Sequence, residues 1–352
     1  MAPPLALAAL QEGLRAARER LLPRVEESLQ QTLGPYLGTP SYYGMMRYHL
    51  GWADERLAPL NAPTGKRLRP LLCLLAAEAC GGTAEVALPA AVALELLHNF
   101  TLIHDDIEDG DALRHHRPTV WKLWGEPQGI NAGDGMHVLA HLALYGLIDK
   151  GVPASVVVSL ATRLAQACLV ITEGQHLDLS FESRADVTPA SYLDMIGRKS
   201  AALMGCAAAT GAEVAGAEAA HVGAVGAFAY ELGMGFQVRD DVLGIWGEAE
   251  TTGKPAGDLR RRKKTLPSLW TIGQGDAQAQ RVLTSLFETT DPDDRTVTAA
   301  LDAMELCGAR AYCKTMVSKF SESARGHLKT LRESPSRDAL EALIVHLEMR
   351  EF

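Results

Sequence analysis

Residues Leu88 to Asp111 read LPAAVALELLHNFTLIHDDIEDGD. The apolar part, Leu88 to Ile107, is long enough for a buried helix, with Pro89 acceptable in its first turn. The segment then ends in acid: His104-Asp105-Asp106-Ile107-Glu108-Asp109-Gly110-Asp111. Helical steps of about 100° put Asp105 and Asp109 roughly 40° apart, on one face. Two carboxylates there repel each other and sit at the negative end of the helix dipole, where anions are disfavoured. A cation should compensate. All-oxygen ligands suit a hard ion such as Mg²⁺, which binds through one or two carboxylates plus substrate phosphates. A merely solvated acidic helix end is the weaker reading, because acids favour a first turn.

The neighbouring segments carry the same helical period. Arg67 to Ala79 places Leu68, Leu71, Leu72, Leu75 and Ala79 at helical spacing. Further helices are expected over Gly133 to Ile148, Ala154 to Leu179, Pro189 to Ala209, Ala219 to Trp246, Thr296 to Cys307, Ala309 to Leu331 and Arg337 to Met349. Strand-like alternation is nearly absent, so the expected fold is all-α. The Gly/Pro-rich stretches are loop-length, not linker-length, and predict one large helical domain over residues 1–352. The Ala/Gly-rich run Ser200 to Gly235 predicts closely packed helices.

The composition narrows the function. Of 352 residues, 34 are Lys or Arg and 43 Asp or Glu, a net charge of −9. That argues against a nucleic-acid binder but leaves room for a local cationic cluster that binds an anion. No run of 18 uncharged apolar residues suggests a membrane span; the nearest, Ala154 to Ile171, is interrupted by Arg163. Met1 to Leu10 lacks a basic start and reads as helix, not signal peptide. The six cysteines show no CxxC spacing and read as reduced thiols of a cytoplasmic protein.

A second acidic pair, in Gln237-Val238-Arg239-Asp240-Asp241-Val242-Leu243-Gly244, again follows a long apolar helix. Two such pairs suggest carboxylates of one multi-Mg²⁺ site that clamps a polyanion. Gly65-Lys66-Arg67-Leu68-Arg69-Pro70 opens a helix, where backbone N–H groups already favour anions. Lys66 and Arg69 share a face. Arg114, Arg117, Lys199, Lys254 and the block Arg260 to Lys264 add cations; for that block, a solvated surface run is an equal reading. Metal-binding acids plus phosphate-binding bases imply a diphosphate substrate, and the apolar helices imply that its remainder is greasy. No P-loop, HExxH or complete dinucleotide fingerprint is present.

At these residues the chain resembles the trans-isoprenyl diphosphate synthases, or polyprenyl synthetases, from about Gly65 to Pro267. Asp105 to Asp109 resembles the family's first DDxxD motif, and Gly65 to Pro70 its GKxxRP element. His98 lies seven residues before Asp105, as the family's diphosphate-binding His does. Lys199-Ser200 resembles its Lys-Thr pair. Phe236-Gln237 through Asp241 resembles the start of its second aspartate motif. Gly253-Lys254 and Lys263 to Pro267 resemble the basic loop after it.

The resemblance implies an isoprenoid-synthase-type helical bundle around a central apolar cavity. It implies a homodimer and head-to-tail condensation of isopentenyl diphosphate with an allylic diphosphate, using three Mg²⁺ ions. Asp105, Asp109 and Asp240 would hold the ions, with Asp106 and Asp241 of the same motifs also assigned to the metal site. Arg114, Lys199 and Lys254 would neutralise the allylic diphosphate, near Ser200 and Gln237. Lys66, Arg69 and His98 would hold isopentenyl diphosphate.

Three departures stand out. Gly244 replaces the usual third Asp of the second motif. His115 stands where the family has a second Arg, so either a protonated His115 or Arg117 takes that role. The basic loop is one residue short between Gly257 and Asp258.

Phe100 and Thr101 lie one turn before Asp105, just below the site of ionisation. A single aromatic, Phe100, at the deeper position resembles a synthase of the 20-carbon geranylgeranyl diphosphate. Farnesyl diphosphate, with 15 carbons, is the next reading. A class I terpene cyclase is the rival enzyme, since Asp240, Asp241, Gly244 and Glu248 approach its second metal motif; Lys66, Arg69 and His98 argue against it.

Overall fold

The computed structural model describes residues 4–34, 39–62, 65–247 and 256–349. Helices dominate: α1 (Pro4–Leu33), α2 (Pro40–His49), α3 (Leu68–Ala79), α4 (Ala84–Glu108), α5 (Val120–Trp124) and α6 (Glu126–Tyr145). There follow α7 (Ala154–Ser183), α8 (Pro189–Ile196), a π turn (Gly197–Ala201), α9 (Ala202–Val214) and α10 (Ala219–Trp246). The chain continues with α11 (Gly257–Arg260), α12 (Leu266–Gln274), α13 (Ala277–Glu288), α14 (Asp294–Leu306), α15 (Ala309–Leu328) and α16 (Pro335–Met349).

The contacts cluster into two compact units. The first comprises Met1–Cys168, Cys206–Gly226 and Thr330–Leu340; the second comprises Leu169–Gly205, Ala227–Lys329 and Glu341–Phe352. Boundaries fall inside α7, α9, α10 and α16.

In the first unit α4 packs against α1, α3 and α6. Ala90, Ala91, Val92, Ala93, Leu94, Leu96 and Leu97 of α4 are all buried, so the helix is core on every side. Each buried Leu there contributes about 1.5–3 kcal/mol relative to exposure. Thr83 caps the helix by accepting from the Val86 N–H at 3.4 Å. That cap starts α4 at Ala84, four residues earlier than the sequence suggested, so Pro89 lies in the second turn instead of the first. The Ala/Gly-rich run does pack closely: a β-carbon on Gly211 of α9 would meet the Cys73 carbonyl carbon of α3 at 2.8 Å.

The second unit has its own core. Ile245, Leu259, Leu283, Leu286, Val297, Ala300 and Met304 are buried together. Asp276 and Asp293 cap α13 and α14, their carboxylates accepting from Ala279 N–H and Thr296 N–H at 2.8 Å each.

Two local features depart from a purely helical reading. Leu113–Arg114 and Arg117–Pro118 form an antiparallel hairpin, Arg114 opposite Arg117. Its turn residues, His115 and His116, have φ of 51° and 63°. Tight hairpin turns demand such left-handed residues and normally use Asn-Gly, so the His pair carries about 1–2 kcal/mol of strain per residue. The expected continuous helix over Pro189 to Ala209 is interrupted by the π turn, which holds Lys199 and Ser200. Such turns often mark functional sites in helices.

Among the described residues, two helices are long and apolar enough to cross a membrane by length and composition, α4 and α7. In α4 67% of the relevant window is buried inside the protein, in α7 33%. Arg163 of α7 pairs with Glu213 of α9 at 2.5 Å.

Candidate active-site residues

In the first unit, α4 presents its acidic end as the sequence suggested. Asp105 is half-buried, Asp109 exposed and Asp106 buried. The Asp106 carboxylate is occupied on one side: its Oδ1 accepts from Arg114 Nε and Nη2, each at 2.7 Å. Its Oδ2 is buried with no partner among the described residues. Burial raises the Asp106 pKa to about 6, against the pull of Arg114. No basic residue occupies the last turn of α4. Among the described residues, no group of three or more His, Cys, Asp or Glu side chains converges to hold an ion by itself. An oxygen-only donor set with an orphaned carboxylate oxygen fits Mg²⁺ that arrives with a phosphate ligand.

The cationic cluster of this unit is built at the start of α3. Arg67 is the N-cap, at a φ of 49°, and is buried. Its Nη1 donates to Glu95 Oε1 of α4 at 2.7 Å, and its Nε to Glu26 of α1 at 3.3 Å. Breaking such a buried pair by removing one partner costs about 3–5 kcal/mol. Arg69, two residues on, is half-buried, its Nε lacking a hydrogen-bond partner among the described residues. His98 lies within the electrostatic reach of Arg69, Arg114 and Arg67. Burial first and those cations next hold its pKa well below the usual histidine value. Lys66 is exposed beside them in sequence.

His115 is exposed at the hairpin turn, its pKa lowered by partial desolvation and then by Arg114 and His116. A protonated resting His115 is therefore disfavoured. Arg117 is committed elsewhere: it donates to Tyr48 O at 3.1 Å and Ala53 O at 2.6 Å, and stacks on the Tyr48 ring at 4.1 Å.

Phe100 is buried below the acidic end of α4. Its ring centroid lies 4.9 Å from that of His104 and 5.0 Å from that of His137 on α6. Thr101 is half-buried, its hydroxyl donating back to His98 O at 2.8 Å.

In the second unit, Asp240 is exposed and Asp241 buried. The Asp241 carboxylate accepts from Tyr192 Oη at 2.7 Å, Leu266 N–H at 3.2 Å and Gln237 Nε2 at 3.4 Å. It thus ties α10 to α8 and to the start of α12. Burial raises its pKa to about 7, against Lys263 and the Tyr192 bond. Ser200 donates to Gln237 Oε1 at 3.0 Å, so the π turn and α10 meet there. Lys199 Nζ donates to Asp178 Oδ2 of α7 at 2.5 Å. The turn reaches α7 because residue 174 is glycine: a β-carbon there would lie 2.7 Å from the Lys199 Cα.

The basic block Arg260 to Lys264 is split. Arg260 pairs with Asp294 at 2.7 Å, and Arg261 with Asp258 at 2.9 Å. Lys264 Nζ donates to the carbonyls of Phe181 (2.7 Å), Glu182 (3.0 Å) and Arg184, satisfying the exposed end of α7. Lys254 and Glu248 lie outside the described residues.

Asp178, Tyr192, Glu95, Asn99 and His49 were not singled out by the sequence. Each acts through a partner far along the chain, and a lone Asp or Asn on a helix gives no local signal.

The polyprenyl synthetase family model matches residues 52–304. The chain is 41% identical over 293 residues to a (2E,6E)-farnesyl diphosphate synthase of Mycobacterium tuberculosis, covering 82% of this chain and 78% of that protein. It is 38% identical over 345 residues to a geranylgeranyl diphosphate synthase of the same organism, covering 97% and 94%. A crystal structure of a polyprenyl synthetase from Streptomyces coelicolor superimposes with a TM-score of 0.85 at 33% identity, covering 97% of this chain and 99% of that one. Helices, acid-ended α4 and cationic α3 start agree with these matches, and the chain belongs to the polyprenyl synthetase family, as an all-α trans-prenyltransferase of short-chain type.

Proposed function

We propose that this chain condenses isopentenyl diphosphate with an allylic diphosphate, head to tail and in trans, to give geranylgeranyl diphosphate. One observation carries the reading. A single helix, α4, presents His98 among arginines at one level and Asp105 with Asp109 at its end, with Phe100 buried between. One helix thereby serves two diphosphates and carries a wall for the growing chain.

In this reading Asp105, Asp109 and Asp240 would hold the Mg²⁺ ions, three by family resemblance, which would supply charge neutralisation for the departing diphosphate. Asp106 and Asp241, held by Arg114 and Tyr192, complete the two motifs, and the unpartnered Oδ2 of Asp106 would add to the oxygen donor set. Arg114, Lys199 and Lys254 neutralise the allylic diphosphate, with Ser200 and Gln237 bracing the turn that carries Lys199. The allylic C–O bond then breaks, and the diphosphate leaves with the electron pair. Lys66, Arg69 and His98, with His115 beside them, hold isopentenyl diphosphate so that its double bond attacks the cation. A proton is lost to the released diphosphate. Apolar walls exclude the water that would quench the cation.

The reading extends to one domain over residues 1–352, since the family model spans segments of both compact units. It extends to a homodimer, because Ile130, Val138, Leu142 and Tyr145 stand exposed at helical spacing on α6. It places the protein in the cytoplasm, because all six cysteines are free thiols. Neither α4, largely core, nor α7, with its Arg163–Glu213 pair, is assigned as a membrane span.

The test is incubation with Mg²⁺, isopentenyl diphosphate and each allylic primer, with products read by mass spectrometry. A 20-carbon linear diphosphate is expected. A 15-carbon product keeps the chemistry and rejects the Phe100 wall. A cyclised hydrocarbon without elongation rejects the condensation.

A further inference from the structure

The π turn Gly197–Ala201 decides which side chains of its stretch meet α10. A π turn inserts one residue into a helix. In an unbroken helix, at about 100° per residue, Lys199 would stand within about 20° of Tyr192 and Ser200 about 80° round from it. With the inserted residue the order reverses: Ser200 comes to within about 20° of Tyr192, and Lys199 stands about 120° away. The contacts follow that geometry. Tyr192 and Ser200 both meet α10, on Asp241 and Gln237. Lys199 meets α7 instead, on Asp178.

The two contacts with α10 are joined. Asp241 and Gln237 lie one turn apart, and Gln237 Nε2 donates to Asp241 Oδ1 at 3.4 Å. Tyr192 Oη donates to Asp241 Oδ2 at 2.7 Å, and Ser200 Oγ to Gln237 Oε1 at 3.0 Å. A ring of side chains thus closes, Tyr192–Asp241–Gln237–Ser200, and it encloses most of the π turn. The ring is matched to the π register, because an unbroken helix would turn the Ser200 hydroxyl away from Gln237. Tyr192 is buried, so its hydroxyl is shut off from solvent and depends on this partner. Packing holds the turn on both sides. Gly174 lets its backbone against α7, and a β-carbon on Gly197 would lie 3.3 Å from the Tyr230 ring of α10.

We propose that Tyr192 is a positioning residue: through Asp241 and Gln237 it holds the π turn in register and so keeps Lys199 on the α7 side, poised for the allylic diphosphate. The proposal rests on the condensation reading given above. Without the Tyr192 hydroxyl, Asp241 keeps Leu266 N–H and Gln237 but loses its tie to α8. The segment can then relax toward an unbroken helix, which swings Lys199 toward α10 and away from Asp178. Buried Tyr192 touches no substrate in this role, and its loss acts on the allylic diphosphate alone.

Tyr192→Phe tests this, since it removes one oxygen and keeps the ring. It is expected to lower kcat about tenfold and to raise the KM for the allylic diphosphate about tenfold, with the KM for isopentenyl diphosphate at its wild-type value. A KM for isopentenyl diphosphate that rises in step overturns the proposal. So do unchanged kinetics with a lowered Tm, which would leave the bond as core packing. Ser200→Ala opens the ring at its other, half-buried end and serves if Tyr192→Phe does not fold. It should give the same split, and an unaltered kcat and allylic KM overturn the proposal. The double variant should be no worse than the poorer single one, because one ring is opened either way; effects that multiply would show two independent bonds and overturn it as well.

A calorimetric titration with inorganic pyrophosphate, with Mg²⁺ and then with EDTA, reads the same positioning without turnover. The Mg²⁺-dependent part of binding should be about tenfold weaker in Tyr192→Phe than in wild type, and equal affinity overturns the proposal. If the wild type elongates no primer, the condensation reading falls, and the pyrophosphate titration still decides the role of Tyr192.

Discussion

Gly244 of α10 and Asp258 of α11 share one space: a β-carbon on Gly244 would lie 2.6 Å from the Asp258 carboxyl carbon, and nearer still to one of its oxygens. The second aspartate motif therefore ends in glycine for a packing reason. Asp258 is buried, and its other oxygen accepts from Arg261 at 2.9 Å. A carboxylate stands beside this turn of α10 although residue 244 has no side chain.

Gly244→Ala should consequently destabilise the protein by about 1–3 kcal/mol, as overpacking does. Urea unfolding followed by circular dichroism checks this. The double variant Gly244→Ala/Asp258→Ala should cost less than the sum of the single ones, because the clash disappears with the carboxylate. Strict additivity would show that the two residues do not compete for space.

Gly174 makes a similar contact with less room for escape. A β-carbon there meets backbone, the Lys199 Cα at 2.7 Å and the Arg198 carbonyl carbon at 2.8 Å. Gly174→Ala should push the π turn off α7 and break the Lys199–Asp178 bond. The expected result is a drop in kcat of at least about tenfold together with a lowered Tm. Steady-state kinetics at saturating substrates would expose normal turnover, which would remove the π turn from catalysis.

Phe100 has a separable consequence. Replacing it with Ala opens the space beneath the acidic end of α4, bounded by His104 and His137. Product length should rise beyond that of the wild type, read by mass spectrometry. Stability should fall by about 3–5 kcal/mol, the usual cost of a buried Phe→Ala change. A destabilised variant with an unchanged product would leave Phe100 as core alone.

Asp105→Ala should abolish turnover and weaken Mg²⁺-dependent binding of the allylic substrate, measured by titration with and without EDTA. Asp106→Asn should act differently, loosening Arg114 before it touches metal affinity. Near-normal turnover of Asp105→Ala would defeat the metal assignment.

The His49 environment also predicts a pH effect on folding. The unfolded chain protonates this His near its ordinary value of 6.5, the folded chain only near 3. Stability present above pH 6.5 is therefore lost as pH falls toward 3, with a slope of at most about 1.4 kcal/mol per pH unit. His98, also depressed, adds in the same direction. Urea midpoints at pH 7, 6 and 5 should fall less steeply in His49→Gln than in wild type. Parallel slopes would refute a neutral His49 in the folded chain.

Much of this was readable along the chain because its signals are local. The apolar period of Leu88 to Ile107 predicts a core helix, and the cap Thr83 merely starts it a turn earlier. Asp105 and Asp109 share a face because of helical geometry alone. The openness of Asp240 beside the burial of Asp241 had no such signal, since adjacent residues differ only in what packs against them. The same holds for the basic block, where Lys264 turns out to bind the carbonyls at the end of α7.

Residue types and short spacings in the sequence by themselves determined that the protein is helical, where two acid-ended helices and a cationic helix start lie along the chain, and which family's motifs it carries. Periodicity and motif spacing act over a few residues, so they survive without the fold. Only the tertiary structure decided which carboxylates are spent on Arg114 and Tyr192, that Asp258 fills the space at Gly244, and that Glu95 is held by Arg67 and Asn99. Those partners are brought together by packing between separate helices, and no local pattern records it.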